Sequence, residues 1–178
     1  MKRSVYEQQV RQALVYYERA HIVLTPEEKS RIEVADFGLN RVEQVGLQLL
    51  TYINTPRVCA KEMVLLPGQT CPEHKHIPTD GADGKEETFR CRYGEVYLYV
   101  PGCGSRDAMA AADPATAVTV FHEIRLLPGE QYTIHPETLH WFQAGPQGAV
   151  ISEFSTHSTD ETDVFTDSAV IRETRLEE

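Results

Sequence analysis

The segment Cys71-Pro72-Glu73-His74-Lys75-His76 sets two histidines two positions apart. In an extended strand such residues project from one face, the simplest way for β-structure to offer two imidazoles to one metal ion. Glu87, opening the next strand-like run, can add a carboxylate oxygen, and His140 in His140-Trp141-Phe142-Gln143 a third imidazole. Three imidazoles and a carboxylate suit a first-row divalent ion with open coordination positions. A closed structural zinc site would more often use thiolates. The four cysteines, Cys59, Cys71, Cys91 and Cys103, form no C-x-x-C pair, and none is expected to be a ligand. A His-x-His pair is weak by itself in a chain with seven histidines. On spacing alone, metal ligands and ordinary packed histidines both stay open.

The elements that must position these residues fall into two groups. Val5 to Ala20 carries apolar residues at helical spacing, on a face through Val10, Leu14 and Tyr17. Thr25-Pro26-Glu27-Glu28 has the form of a capping box with proline at the first helical position. These two helices should form an arm, residues 1–44, that packs on the rest of the chain or on a partner subunit. From about residue 45 short runs rich in β-branched and aromatic residues predict strands near 46–53, 58–66, 70–76, 87–93, 95–100, 117–126, 130–134, 139–144 and 148–155. Leu66-Pro67-Gly68-Gln69 and Leu127-Pro128-Gly129-Glu130 are turn signals of nearly one form, each a few residues before a histidine-bearing segment, as in two related halves. Many short strands without alternating long helices predict an all-β barrel over residues 45–178. Residues 77–86 read as a polar loop, and 101–116 as a flexible insertion.

Composition narrows the function classes. With 17 basic and 27 acidic residues in 178, the formal net charge is −10. A nucleic-acid binder needs a basic face, so no nucleic-acid partner is expected. No membrane partner is expected either, since an anionic surface repels such a chain and no run nears the roughly 18 apolar residues of a membrane helix. The N-terminal Met1-Lys2-Arg3-Ser4-Val5-Tyr6-Glu7 lacks an apolar leader segment, which predicts a cytoplasmic location with reduced thiols. A neutral sugar and a divalent cation remain compatible.

Gly68, His74, His76, Glu87 and Gly94 resemble, in order, the first motif of the cupins, whose fold is a jelly-roll β-barrel. Ten residues separate His76 from Glu87, more than that motif usually holds. The second motif is recognisable at Gly129 and His140, but His135 and Glu137 stand where cupins usually carry proline and glycine, and Ala144 replaces the closing asparagine. A closer resemblance is to the D-lyxose ketol-isomerases. It lies in Pro67-Gly68-Gln69-Thr70-Cys71-Pro72-Glu73-His74, Glu87-Thr88-Phe89-Arg90-Cys91-Arg92-Tyr93-Gly94 and His140-Trp141-Phe142-Gln143-Ala144-Gly145. The likeness runs from His21 to Asp167.

That resemblance implies a manganese-dependent isomerase, or one using another first-row divalent ion. It would interconvert D-lyxose and D-xylulose, with D-mannose and D-fructose as further substrates, through a metal-stabilised enediolate. His74, His76, Glu87 and His140 match the family's metal ligands. For the proton transfer, Glu153 on a strand near that of His140 is a candidate base, and Lys61, among apolar residues, could polarise a sugar oxygen. The opposing reading puts Glu153 in solvent and Lys61 in a surface ion pair. Phe89 and Phe142 share faces with Glu87 and His140 and could wall a sugar pocket. Trp141 should face away. His21, His122, His135 and His157 read as non-ligands, and Asp160, Glu161 and Asp163 as an exposed acidic loop. A homodimer is expected. The alternatives are a non-catalytic metal cupin that binds or senses a sugar, an iron-dependent cupin oxygenase, and a phosphosugar isomerase. The last would need a cationic cluster for the phosphate.

Overall fold

The computed structural model describes residues 1–79 and 81–177; Asp80, in the 77–86 loop, and Glu178 lie outside the described residues. Helix α1 (Arg3–Arg19) buries Gln9, Ala13, Tyr16 and Tyr17, while Val10 and Leu14 are only partly covered. The buried stripe is therefore centred one residue away from the one the spacing predicted. It packs on the outer face of the sheet, where Leu50, Val64, Leu66 and Val150 meet it. Helix α2 (Pro26–Ser30) has the predicted capping box, with the Glu28 N–H donating to Thr25 Oγ1 at 3.2 Å and the Thr25 N–H to Glu28 Oε2 at 2.8 Å.

The strands are β1 (Glu33–Ala35), β2 (Leu47–Asn54), β3 (Cys59–Leu65), β4 (Thr70–Lys75), β5 (Glu87–Val100), β6 (His122–Leu126), β7 (Gln131–Ile134), β8 (His140–Ser155) and β9 (Val164–Phe165). They pair antiparallel in the order β1-β2-β3-β8-β4-β9, with β5 alongside β6, β7 and β8. β1 lies inside the span read as the helical arm and pairs with β2, so the sheet begins before residue 45. β1 and β9 are three and two residues long, too short to show a period of two.

Two pairs of predicted strands are single bent strands. β5 replaces 87–93 and 95–100, and β8 replaces 139–144 and 148–155. Gly94 and the Gly145–Gly148 segment signalled turns, but the chain there bends without reversing. β4 pairs with one end of β8 and β3 with the other, so the long strand passes through both sides of an antiparallel sheet curled into a jelly-roll barrel. Gly94 sits at φ +70°, where an added Cβ would lie 1.9 Å from the Gly148 carbonyl oxygen. Only glycine fits there. The two Leu-Pro-Gly turns are matched, with glycine φ values of 71° and 94° and an i+3 N–H to i carbonyl bond of 2.9 Å in each.

The inner faces pack Leu49, Met63, Leu65, Phe89, Phe142 and Ile151 into the main core. A second cluster anchors the segment read as an insertion, 101–116, at Ala111, while residues 101–108 are exposed. Tyr99 stacks on Trp141 at 4.1 Å between ring centres, and Ala111, Val118 and Val120 pack on the pair. The Trp141 ring N–H donates to the Val120 carbonyl at 2.9 Å, away from the histidines as expected. The strand predicted at 117–126 starts only at His122. Upstream, the Thr119 and Val120 N–H groups donate to the buried Glu73 carboxylate at 2.7 and 2.9 Å instead of to a neighbouring strand.

Candidate metal centre and active site

His74 projects from β4 and His76 from the residue just after its end, and His140 opens β8 beside them, paired in register with His74. One ligand nitrogen from each of the three lies within 4.8 Å of the others, and all three residues are buried. Glu87, the first residue of β5, turns Oε1 to 3.2 Å from His76 Nε2 and 3.1 Å from His140 Nε2. The four residues grouped by the sequence reading are therefore brought together.

The donors fit a metal ion. His74 Nδ1–H donates to the Pro72 carbonyl at 2.8 Å, and His140 Nδ1–H to the Thr138 carbonyl at 2.9 Å, which turns each Nε2 inward. His76 Nδ1–H meets Asp163 Oδ1 at 2.5 Å. His140 Nε2 is fully buried, and although Glu87 is near, it has no aligned hydrogen-bond partner among the described residues. An orphaned buried nitrogen facing two other imidazoles and a carboxylate is the donor arrangement of a metal site. Burial, reinforced by His140 and His76, holds His74 neutral with its pKa well below the ordinary value. Burial also disfavours charge on His76, but Glu87 and Asp163 outweigh it and raise its pKa to about 9. Burial opposes ionisation of Glu87 as well, yet Lys85 and His76 push its pKa well below the carboxylate range.

Curling of β8 decides the rest of the site. His140 and Glu153 are thirteen residues apart on one strand. Unbent at roughly 3.3 Å per residue, they would stand about 43 Å from each other. Instead Glu87 touches His140, while its register partner on β8 is Ser155. Glu153 pairs across strands with Lys61 and is 3% exposed, and Lys61 is 5% exposed. Neither lies at the surface, which overturns the opposing reading. Lys61 Nζ is 3.7 Å from Glu153 Oε1, 2.5 Å from Asp160 Oδ2 and 2.8 Å from Ser158 Oγ.

Three residues escaped the sequence reading. Lys85 Nζ lies 2.8 Å from Glu87 Oε2, 3.2 Å from Glu153 Oε1 and 3.1 Å from Asp160 Oδ1, so it joins the candidate base to the candidate ligand. Burial opposes its charge, but these carboxylates raise its pKa well above the lysine value. A period-two signal was present, because Lys85, Glu87, Phe89 and Cys91 alternate on one face. Asp160 and Asp163, read as part of an exposed loop, turn inward on a single 3₁₀ turn, Asp160–Thr162, after β8. Their side chains are 20% and 6% exposed. No local periodicity marks that turn.

The basic, acidic and aromatic groups line one shared cavity, with Phe89 and Phe142 on its wall as expected. Cys71 also lines it, but burial pushes its thiol pKa far up, as it pushes Cys91 to about 11. Both cysteines are packing groups. His21, His122, His135 and His157 are all exposed, away from the cluster.

No family model matches the sequence. A Thermosediminibacter oceani protein named D-lyxose/D-mannose isomerase is 59% identical over 162 residues, 90% of each chain. A Cohnella laeviribosi D-lyxose ketol-isomerase is 58% identical over 158 residues, covering 88% of this chain and 87% of that one. Among solved structures, the L-ribose isomerase of Acinetobacter sp. DL28 superposes with a TM-score of 0.76 over 99% of this chain and 98% of that one, at 17% identity. That of Cellulomonas parahominis gives 0.72 over 96% and 94%, at 18%. At such identities the likeness is one of fold. Roll and histidine cluster together define a cupin-type protein. Given the identity of its curated relatives over nine-tenths of its length, the chain belongs to the D-lyxose ketol-isomerase family.

Proposed function

We propose that this chain is a metal-dependent aldose–ketose isomerase that interconverts D-lyxose and D-xylulose, and D-mannose and D-fructose, through an enediolate. Family membership supports the substrate class, and the name of the Thermosediminibacter relative supports the hexose pair. The observation that carries the reaction type is Glu153: a buried carboxylate outside the His/Glu cluster, facing the same cavity and flanked by two ammonium groups.

His74, His76, Glu87 and His140 would hold the ion. Manganese is the proposed metal, since three imidazoles and one carboxylate suit a first-row divalent ion. Once bound, such an ion supplies Lewis acidity to the neighbouring carbonyl and hydroxyl oxygens of the open-chain sugar, worth several kcal/mol. Glu153 takes the proton from C2 of the aldose and returns it to C1, while the O2 hydroxyl proton passes to O1, so that the aldehyde becomes a hydroxymethyl group and the C2 alcohol a ketone. Lys85 and Lys61 fix its carboxylate by salt bridges, and Lys61 serves a sugar oxygen. Phe89 and Phe142 wall the cavity and limit water around the carbanionic centre.

A homodimer is part of the proposal, supported by Ile53 and Phe154, which stay exposed on either side of Ala60 on the outer sheet face. A cytoplasmic setting is proposed because all four cysteines are free. Incubating manganese-loaded protein anaerobically with D-lyxose in D2O tests the activity. D-xylulose carrying solvent deuterium at C1 is the expected product. Absence of ketose from lyxose and from mannose, with every divalent metal tried, would overturn the proposal and leave a sugar-binding cupin.

A further inference from the structure

The three imidazoles of the candidate metal centre are held in two different ways. His74 and His140 each donate from Nδ1 to the backbone carbonyl two residues earlier, a contact that the adjoining chain supplies. His76 donates instead to the carboxylate of Asp163, 87 residues later in the chain. That carboxylate is 6% exposed. It arrives on a strap that follows β8 and is latched to β4 at several points. Phe165 and Val164 pair with His74 and Lys75, the Thr166 hydroxyl donates to Glu73 Oε1 at 2.6 Å, and the Thr166 N–H donates to the Glu73 carbonyl at 3.0 Å.

We propose that Asp163 is the positioning carboxylate of the metal centre, fixing His76 with Nδ1 protonated and Nε2 turned inward and strengthening it as a donor. The proposal rests on the metal-dependent reading above. A carboxylate on the outer nitrogen of a ligand imidazole sets its tautomer and ring angle and pushes electron density toward the inner nitrogen. A backbone carbonyl fixes the tautomer with less charge. His76 is thus the imidazole whose donor strength depends on a distant part of the chain.

The test is metal affinity, measured by chelator competition with Mn2+, together with the visible absorption of the Co2+-loaded protein. Asp163→Asn keeps the side-chain shape and removes the charge. It is expected to weaken Mn2+ binding by about 10–100-fold and to alter the cobalt bands. Asp167 braces the same strap through the N–H groups of Ala117 and Ala169, at 3.2 and 3.0 Å. Asp167→Asn is expected to leave the affinity unchanged. Equal losses in the two variants, or wild-type affinity in Asp163→Asn, would overturn the assignment. Nitrogen-15 spectra of the wild type loaded with diamagnetic Zn2+ give a readout free of any folding defect. They should show His76 protonated at Nδ1, and an unprotonated Nδ1 would overturn the assignment. Failure of the wild type to bind either ion would sink the metal-dependent reading along with this one, and is recognised because the unaltered protein fails.

Discussion

Lys85 places its ammonium group between Glu87, Glu153 and Asp160 in a cavity that its own side chain, 4% exposed, helps to seal. Removing one partner from a buried cluster leaves the others uncompensated, typically a cost of about 3–5 kcal/mol. Lys85→Met should therefore lower stability by about that amount in urea titrations and abolish turnover. Glu153→Gln makes the opposite trade. It keeps the shape and the metal ligands, so metal content should stay stoichiometric while kcat falls about 10²–10⁴-fold, the usual contribution of a positioned base. Wild-type kcat in that variant would remove Glu153 from the reaction. Of these residues, the candidate ligands, Lys61 and Glu153 could be named from the sequence, because period-two spacing and motif order survive in a linear reading. Lys85 was equally accessible by extending the Glu87 face two residues back. Asp160 and Asp163 were not, because an inward turn and an exposed acidic loop have the same composition.

At the scale of elements, the strand segments and both Leu-Pro-Gly turns could be read directly, since alternation and glycine placement are local properties. Whether a glycine bends a strand or ends it is not local. Gly94 and Gly148 cross each other across the β5–β8 pair, and only that packing makes a bend of what resembled a turn. Gly94→Ala would need a left-handed φ and a Cβ in contact with a carbonyl, so it should fail to accumulate as soluble, metal-binding protein. Glu137 makes the converse case. It stands where cupins usually carry glycine, yet it holds φ +59° and donates its N–H to the His76 carbonyl at 3.0 Å. The turn thus takes up a left-handed residue without the glycine that suits it. Glu137→Gly should relieve the left-handed strain and raise stability by about 1 kcal/mol, seen as a higher melting temperature with unchanged kcat.

For the whole molecule, the proposed metal centre would be linked to folding by mass action. An ion that binds the folded chain alone stabilises it by about 2.7 kcal/mol at a hundredfold excess over Kd. Chelation should lower the melting temperature and abolish activity together, and adding back Mn2+ should restore both. A melting temperature indifferent to the ion would contradict the linkage. The net charge of −10 finds no single role in this picture. Of its carboxylates, Glu87, Glu153, Asp160 and Asp163 are turned inward, and the two buried lysines partly balance them.

The strap after β8 also has a consequence for the order in which the chain becomes competent. During synthesis all four candidate ligands, the last being His140, leave the ribosome before Asp160 and Asp163 do. A nascent chain ending near Ser155 would hold every ligand and the base, but also two lysines lacking one of their carboxylates and an imidazole lacking its own. Such a chain should capture manganese poorly. Tight capture of the ion would then report that the barrel has been closed at its final segment, making metal loading a late proofreading step and not a nucleus for folding.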